Sequence, residues 1–370
     1  MSLVRAYSIP VEAYRGDALE SMHTVVAAFC GDLSADASSS RYEIDAQELP
    51  SIWIRSTAKP FQLLPLLLHP EGAALLDDPS DIAISVASHD GTPQHAERVR
   101  GILQRHSIQQ QQMRCGEHRP YFLQRLPANA PENANLYDAL HNNCSGNHAA
   151  LLLWARLCGV EADSYLNPES ASQAAIHKVI RAASGSEPRI GVDNCGAPCY
   201  QLPLTGAAQA YLALASRDQT ARWGETARED LAGLGPMDAI IDKMDQIGAA
   251  MATQPRWVSG EGTEATRLAE RFAGTLVIKH GAEGVLCVAD RQRQVALALK
   301  VLDGNARALF PALLQLMQEF GWWDGSSDRL FSELSRPILT GPPGHTVGEL
   351  RVGSPQSGRS HSADAPTPAL

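Results

Sequence analysis

Two serine–lysine combinations in the sequence could provide a nucleophile and a base for attack on a carbonyl carbon. The residues of the first combination are close together in the sequence. Ser56 and Lys59 are three residues apart in "RSTAKPFQLL", directly before an apolar run. Pro60 has no amide hydrogen and suits the first turn of a helix, which places Ser56 at or just before the helix start. A lysine desolvated beside Leu63 and Leu64 has a lowered pKa and could accept the serine proton. The alternative is a serine cap followed by an ordinary surface lysine.

The second combination is separated widely along the chain. Ser88 and His89 lie in "ASHDG", at the end of a strand predicted over 81–91, and Lys279 lies in "VIKHG" on a later predicted strand. A lysine inside an apolar strand costs free energy unless its charge is paired or lost. The alternative is a side chain that points outward from an edge strand. An S-x-x-K helix followed by a K-x-G strand is the order found in penicillin-recognising serine enzymes and their relatives.

Composition limits the class of protein that can carry these groups. The chain has 370 residues and a formal net charge of -10, which argues against a nucleic-acid partner or an acidic membrane surface. Its 7 cysteines are an odd number without the dense spacing of a disulfide framework. We find no signal-peptide pattern at the start and no apolar run of the roughly 18 residues that a membrane span needs. We therefore expect a cytoplasmic enzyme or binding protein.

Hydrophobic periodicity predicts strands towards both ends of the chain and helices between them. The predicted strands are 23–30, 81–91, a short strand in 189–198, and two or three antiparallel strands within 275–303. The predicted helices are 94–106, 146–159, 170–183, 236–255 and 308–323. This order favours an α/β (α+β) sandwich with an antiparallel sheet, flanking helices and a helical section inserted over roughly 93–185. Residues 351–370 are rich in Ser, Pro, Gly and Ala and are expected to be disordered.

Further motifs accompany the two serine–lysine combinations and together are specific. In chain order they are "RGDALESMH", "RSTAKPFQ", "ASHDGTPQH", "CGEHRP", "NNCSGNHAALL", "VDNCGAPCYQLPL" and "KHGAEG". Over roughly residues 10–350 the chain resembles the asparaginase II family, the rhizobial type of L-asparaginase. The resemblance implies one catalytic domain over 1–350, a fold like that of glutaminases and serine β-lactamases, and a homodimer.

The resemblance also implies roles for individual residues. Ser56 with Lys59 would form one Ser–Lys pair, and Ser88 with Lys279 would form a second. The residues expected to bind the substrate are Arg55, His89, Asp193 and His148.

A metal site is the point at which this chain departs most from the family. The family normally binds zinc through Cys, Lys and Cys, and the matching positions are Cys144, Asn147 and Cys195. Two thiolates could still bind zinc if His148, Asp193 or water completed a tetrahedron, but an amide oxygen is a poor zinc ligand. The alternative is two small buried residues beside a pocket. Other departures are Ser170, Asn194, Gln254, Thr263 and Ala265.

The resulting functional hypothesis is hydrolysis of L-asparagine to L-aspartate and ammonia, a reaction on a small-molecule amide that requires no cofactor. Ser56 would attack after Lys59 takes its proton, with Ser88 and Lys279 supporting the proton transfers; Ser88 is the alternative nucleophile. The changed pocket residues favour a first alternative, an amidohydrolase or acyltransferase for another amide. A second alternative is a catalytically silent protein that binds an amino acid.

Overall fold

The protein is represented by a computed structural model. The described residues are 4–32, 40–125, 137–215, 223–323, 328–342 and 344–355. Within these ranges the chain forms two antiparallel sheets and twelve α-helices, joined by loops and short 3-10 helices. No helix of the described part is long and apolar enough to cross a membrane.

The strands divide into a large sheet and a small one. They are β1 (Val4–Arg15), β2 (Ala18–Cys30), β3 (Glu43–Ile44), β4 (Ser51–Trp53), β5 (Arg189–Val192), β6 (Pro198–Pro203), β7 (Leu276–Gly281), β8 (Val285–Asp290), β9 (Val295–Val301), β10 (Ile338–Gly341) and β11 (His345–Val352). The large sheet has the order β10-β11-β1-β2-β9-β8-β7, and β3 pairs with β1 outside this path. The small sheet has the order β4-β6-β5. Strand β7 is therefore an edge strand of the large sheet.

Helices cover both faces of the large sheet. They are α1 (Lys59–Leu68), α2 (Pro79–Ser85), α3 (Pro93–Arg105), α4 (Ser145–Leu157), α5 (Ala171–Ser184), α6 (Leu204–Ala215), α7 (Glu225–Ala232), α8 (Met237–Thr253), α9 (Pro255–Ser259), α10 (Glu264–Arg271), α11 (Leu309–Glu319) and α12 (Arg329–Ser335). The predicted α/β class with an antiparallel sheet and flanking helices is confirmed by this arrangement.

The core has two parts because successive side chains of a strand point to opposite faces. In β2, Val26 and Ala28 pack against the larger cluster, which includes α1, α4, α5, α6 and α8. Val25 and Phe29 of the same strand pack against the other cluster, which includes α10, α11 and α12. A sheet buried on both faces has no simple alternation of apolar and polar residues, and both faces must be filled with side chains.

The helical section predicted over 93–185 contains α3, α4 and α5 and, in its described residues, no strand. Whether it forms an insertion in a single catalytic domain stays a prediction. The predicted disordered tail begins within β11, which ends at Val352, and residues 356–370 lie outside the described part.

The strand predicted over 81–91 is wrong, because these residues form α2 followed by a loop. The Asp78 side chain accepts a hydrogen bond from the Ser80 amide at 2.7 Å, and Pro79 fills the first turn, so the sequence starts a helix. The run from Ile82 to Val86 is buried on every side. A completely buried run gives no period that separates a strand from a helix.

Candidate active site

One pocket of about 540 Å³ contains most of the groups that the sequence singles out. Ser56, Ser88 and Lys279 line it, and they come from three separate parts of the chain. Lys59 is buried behind the wall and reaches the same point, because its Nζ lies 3.2 Å from Ser88 Oγ. The predicted convergence of two hydroxyls and two amines is therefore present.

Ser88 is the centre of this group. Its Oγ lies 2.8 Å from Lys279 Nζ and 3.2 Å from Lys59 Nζ. The residue follows α2 in a loop, where its amide donates to the Val258 carbonyl oxygen at 3.0 Å. Gly91 ends this loop with a φ of +74°, and a Cβ there would lie 2.4 Å from the His141 carbonyl oxygen. Only glycine fits this turn, so the loop fixes the position of Ser88.

Lys279 is an unusual lysine because it is buried on an edge strand. Its side chain is 1% exposed, and Nζ also donates to the His280 carbonyl oxygen at 2.8 Å. Burial, followed by repulsion from the charge of Lys59, holds the pKa of Lys279 well below its usual value. A neutral amine in hydrogen-bond contact with a serine hydroxyl can act as a general base. The alternative of an outward-pointing lysine is wrong.

Lys59 does not contact the serine that precedes it by three residues. Its Nζ donates to the Ala87 carbonyl oxygen at 2.6 Å and lies 3.1 Å from Cys144 Sγ, in addition to its bond to Ser88. Ser56 lines the pocket, but among the described residues no hydrogen bond joins its Oγ to Lys59. The predicted pair of Ser88 with Lys279 is present, whereas the predicted pair of Ser56 with Lys59 is replaced by Lys59 with Ser88.

Arg55 and Asp193 form an ion pair on the wall beside Ser56. Arg55 donates to Asp193 Oδ1 through Nη2 at 2.7 Å and Nε at 3.1 Å, and to Asn194 Oδ1 at 3.0 Å. Burial alone would raise the pKa of Asp193, but the hydrogen bonds and charge of Arg55 outweigh it and lower that pKa. Arg55 has a φ of 51°, which is uncommon for a residue with a side chain and turns the chain into the 3-10 helix Arg55–Ala58. Both residues line the pocket, as predicted.

His89 and His148 lie behind the pocket wall, in contrast to their predicted role in contacting the substrate. Both are 0% exposed and neither lines the pocket. His89 Nε2 bonds to Ser145 Oγ at 2.9 Å, and its Nδ1 accepts from the Gly91 amide. Burial lowers the pKa of His148 to about 3. These two neutral rings support the loop and helix that carry the pocket residues.

The two predicted metal-binding cysteines are neighbours in the pocket wall. The hydrogen bond from the Cys195 thiol, assisted by Lys59 against the opposing effect of burial, lowers the pKa of Cys144 to about 5. The same pairing and burial raise the pKa of Cys195. All seven cysteines lie in the described residues, and no disulfide joins any two of them.

The donors around these thiols do not fit zinc. Among the described residues no three His, Cys, Asp or Glu side chains are placed to share a metal ion. Asn147 stands one helical turn after Cys144, and its amide nitrogen lies 3.4 Å from the Ser85 carbonyl oxygen. Its Oδ1 is buried without a hydrogen-bond partner, and an amide oxygen is a poor zinc donor. The chemistry proposed for this site therefore uses protein side chains and no metal ion.

The pocket lining also contains charged residues that the sequence analysis did not single out. Asp90 is 3% exposed, and its carboxylate accepts a hydrogen bond from Arg125. Glu117 and Glu264 also line the pocket, and neither has an ion-pair partner among the described residues. Asp90 follows Ser88 by two residues and could have been noticed for that reason. The other three acquire significance only through the folded positions of distant loops.

Comparisons with known proteins identify the family of this chain. The family model of L-asparaginase II matches residues 11–352, so the chain belongs to the L-asparaginase II family, and its class is that of the amidohydrolases. A comparison with curated proteins found no match. The chain is also similar to a solved structure of a beta-lactamase candidate from Bacteroides dorei DSM 17855, with 12% identity and a TM-score of 0.36 over 84% of this chain and 94% of that one. A likeness at that level carries no argument about this chain.

Proposed function

We propose that the protein hydrolyses the side-chain amide of L-asparagine, and that Ser88 is the nucleophile with Lys279 as its base. The observation that carries this proposal is the contact of 2.8 Å between Lys279 Nζ and Ser88 Oγ, at a lysine whose pKa burial holds well below its usual value. A nucleophile and its base must be within hydrogen-bond reach, and this serine meets that requirement.

The reaction has two steps that use the same base. Lys279 takes the proton of Ser88 as Oγ attacks the amide carbon, and it gives that proton to the nitrogen when the carbon–nitrogen bond breaks. Ammonia leaves and an aspartyl ester remains on Ser88. Water then attacks the ester, with Lys279 accepting a water proton and returning it to Ser88 Oγ.

The ammonium of Lys59 has a separate task. Its bonds to Ala87 and Cys144 fix a positive charge 3.2 Å from Ser88 Oγ. That charge disfavours the protonated form of Lys279 and favours a developing negative charge on Ser88. Lys59 therefore adds to the effect of burial, and both lower the pKa of Lys279.

The amino-acid end of the substrate would meet Arg55 and Asp193. A guanidinium and a carboxylate that already form a pair at 2.7 Å offer complementary charges to the carboxylate and ammonium of asparagine. Gly281 and Ala282, at the end of β7, line the pocket near Ser56. Backbone N–H groups along the outer side of an edge strand lack a strand partner and can stabilise a tetrahedral oxyanion.

A second candidate function is hydrolysis of a larger amide that carries a positive charge. A pocket of about 540 Å³ is in the range that holds drug-sized ligands and exceeds what one asparagine needs. Among the described residues Glu117 and Glu264 have no ion-pair partner, whereas Arg55 and Arg125 are each paired with an acid, so the lining carries negative charge. Such a pocket attracts cationic ligands.

The test is release of ammonia or amine by the purified protein from asparagine, glutamine, and β-aspartyl amides of a neutral and of a cationic amine. Ammonia release from asparagine, with an aspartyl ester on Ser88 in acid-quenched samples, supports the first proposal. An ester on Ser56, or no ammonia, contradicts it. A preference for the cationic amide that disappears in Glu117→Gln, but not in the surface control Glu97→Gln, selects the second candidate.

A further inference from the structure

The first turn of α4 presents three side chains that decide what the pocket thiols can bind. Cys144 directly precedes α4. Asn147 and His148 lie inside the helix, three and four residues after Cys144, so the three side chains lie on the same side of the helix. A metal bound at Cys144 and Cys195 would need one or two further donors from this turn or from a neighbouring loop.

His148 cannot supply such a donor in the arrangement observed. Tyr165 is 0% exposed, and its hydroxyl oxygen accepts a hydrogen bond from the Arg114 amide at 2.9 Å. In the part of the chain that the structure describes, the acceptor within reach of the Tyr165 hydroxyl proton is His148 Nδ1, at 2.6 Å. A neutral imidazole that accepts at Nδ1 carries its proton on Nε2, which leaves no lone pair there for a metal.

Asn147 cannot replace it. This side chain is 1% exposed, and its amide nitrogen is directed towards the Ser85 carbonyl oxygen. Its Oδ1 is one of two buried polar atoms of this turn without a partner, the other being His148 Nε2. An amide oxygen and an N–H donor suit a neutral hydrogen-bonding molecule such as water, whereas zinc prefers thiolate, imidazole nitrogen or carboxylate.

A side chain already occupies the space beside the thiol. Lys59 Nζ lies 3.1 Å from Cys144 Sγ and is itself fixed by the Ala87 carbonyl oxygen at 2.6 Å. Lys59 Nζ therefore stands at hydrogen-bond distance from the sulfur, where a metal ion bound to Cys144 would have to lie.

From these contacts we infer that the protein holds no resident zinc, that Asn147 is the residue that prevents binding, and that the side chain of Lys59 occupies the metal's place at Cys144. The two thiols are then free rather than masked by a metal. This inference concerns metal content and thiol reactivity, so it stands or fails separately from the proposed asparagine hydrolysis.

The first experiment measures zinc per chain in protein purified from zinc-supplemented cells and then desalted. We expect less than about half an equivalent of zinc, and alkylation of Cys144 by iodoacetamide at the same rate with and without a chelator. Half an equivalent or more, removed by Cys144→Ser, would overturn the inference. So would an alkylation rate that rises at least severalfold when the chelator is added.

The second experiment builds the missing ligand. Asn147→His and the isosteric Asn147→Asp each place a zinc donor one turn after Cys144, and at least one of them should gain about one zinc per chain. The double variants with Cys144→Ser are the matched controls and should lose that zinc. If circular dichroism shows both single variants folded and neither binds more zinc than the wild type, Asn147 is not the residue that excludes the metal.

Discussion

Ser56 and Ser88 line the same pocket, but the two hydroxyls have different neighbours. Ser88 Oγ contacts both buried lysine amines, at 2.8 and 3.2 Å. Ser56 Oγ has no hydrogen bond to a lysine among the described residues, although Lys59 is only three positions away. This difference shows that tertiary packing, rather than sequence spacing, determines which lysine contacts which serine. Lys279 lies 191 residues from Ser88, the serine that it contacts.

The largest expected effect is at the serines themselves. Ser88→Ala removes the hydroxyl that contacts both amines and should reduce kcat for asparagine by about 10³-fold or more. Ser56→Ala should reduce kcat for asparagine by about 10- to 100-fold, because it disturbs only the positioning of the substrate. Steady-state ammonia release measures both, and Ser259→Ala, in the same pocket, is the control. A larger loss in Ser56→Ala than in Ser88→Ala would reverse the comparison.

Lys279 should matter nearly as much as Ser88. In Lys279→Arg the guanidinium stays protonated and cannot accept a proton, so we expect a loss of about 10³-fold in kcat. In the wild type, activity should fall as the pH drops through the pKa of Lys279, because protonation removes the base. The midpoint of this fall in the pH–activity profile should lie well below the pKa of a free lysine, about 10.4. A profile that is flat between neutral pH and pH 10 would exclude a titrating lysine.

Replacement of Lys59 tests whether this residue acts as the general base or only as a positive charge beside Lys279. Lys59→Met removes the positive charge that lowers the pKa of Lys279, so that pKa should rise. The rising limb of kcat/KM should move to higher pH by about one unit. If Lys59 were the base, the limb would instead vanish together with the activity.

Arg55 and Asp193 should affect binding more than chemistry. Asp193→Asn removes the carboxylate expected to meet the substrate ammonium and should raise KM by about 10- to 100-fold, with kcat changed by less than about tenfold. The lowered pKa of Asp193 adds stability that is present at neutral pH and is lost as pH falls through that pKa. Acid titration of the melting temperature should therefore show a smaller loss in Asp193→Asn. An unchanged KM would remove this pair from substrate binding.

The smallest expected effect concerns the helix that leads to Ser88. Asp78→Ala removes the side chain that caps α2 and should cost about 1 kcal/mol of unfolding free energy. Urea unfolding measures this loss, while kcat should stay within about twofold because the loop after α2 is held by other contacts. A large fall in kcat in the folded variant would mean that the cap positions Ser88 directly.

Much of the fold could be predicted because its signals are local. The predicted strand 23–30 lies within β2, and the helix predicted over 236–255 contains α8. The strands predicted within 275–303 are β7, β8 and β9. Strand β1 and helix α6 were not predicted, and α2 was mistaken for a strand. Helix α6 is apolar and almost completely buried, and α2 ends in a completely buried run, so neither shows a clear period. In β1 the residues Tyr7, Ile9, Val11 and Ala13 do alternate, and this signal could have predicted the strand.

Of the two serine–lysine pairs predicted from the sequence, the structure shows one. Ser88 contacts Lys279, but the spacing of three residues suggested a bond between Ser56 and Lys59 that the fold does not make. His148 was assigned to the pocket through the family resemblance, and His89 because it also follows Ser88 at the end of a predicted strand. Burial cannot be read from adjacency, since neighbouring residues in a loop or helix point in different directions.

The position of β1 in the large sheet matters while the chain is being synthesised. Its partner β11 is the last strand of the described chain, and Val11 lies opposite Val352. A nascent chain that has not yet released residues 345–352 presents β1 with one side unpaired, and an open strand edge invites association with other chains. Ribosome stalling or truncation before residue 345 should therefore yield aggregation-prone fragments, even though every group of the pocket has already emerged.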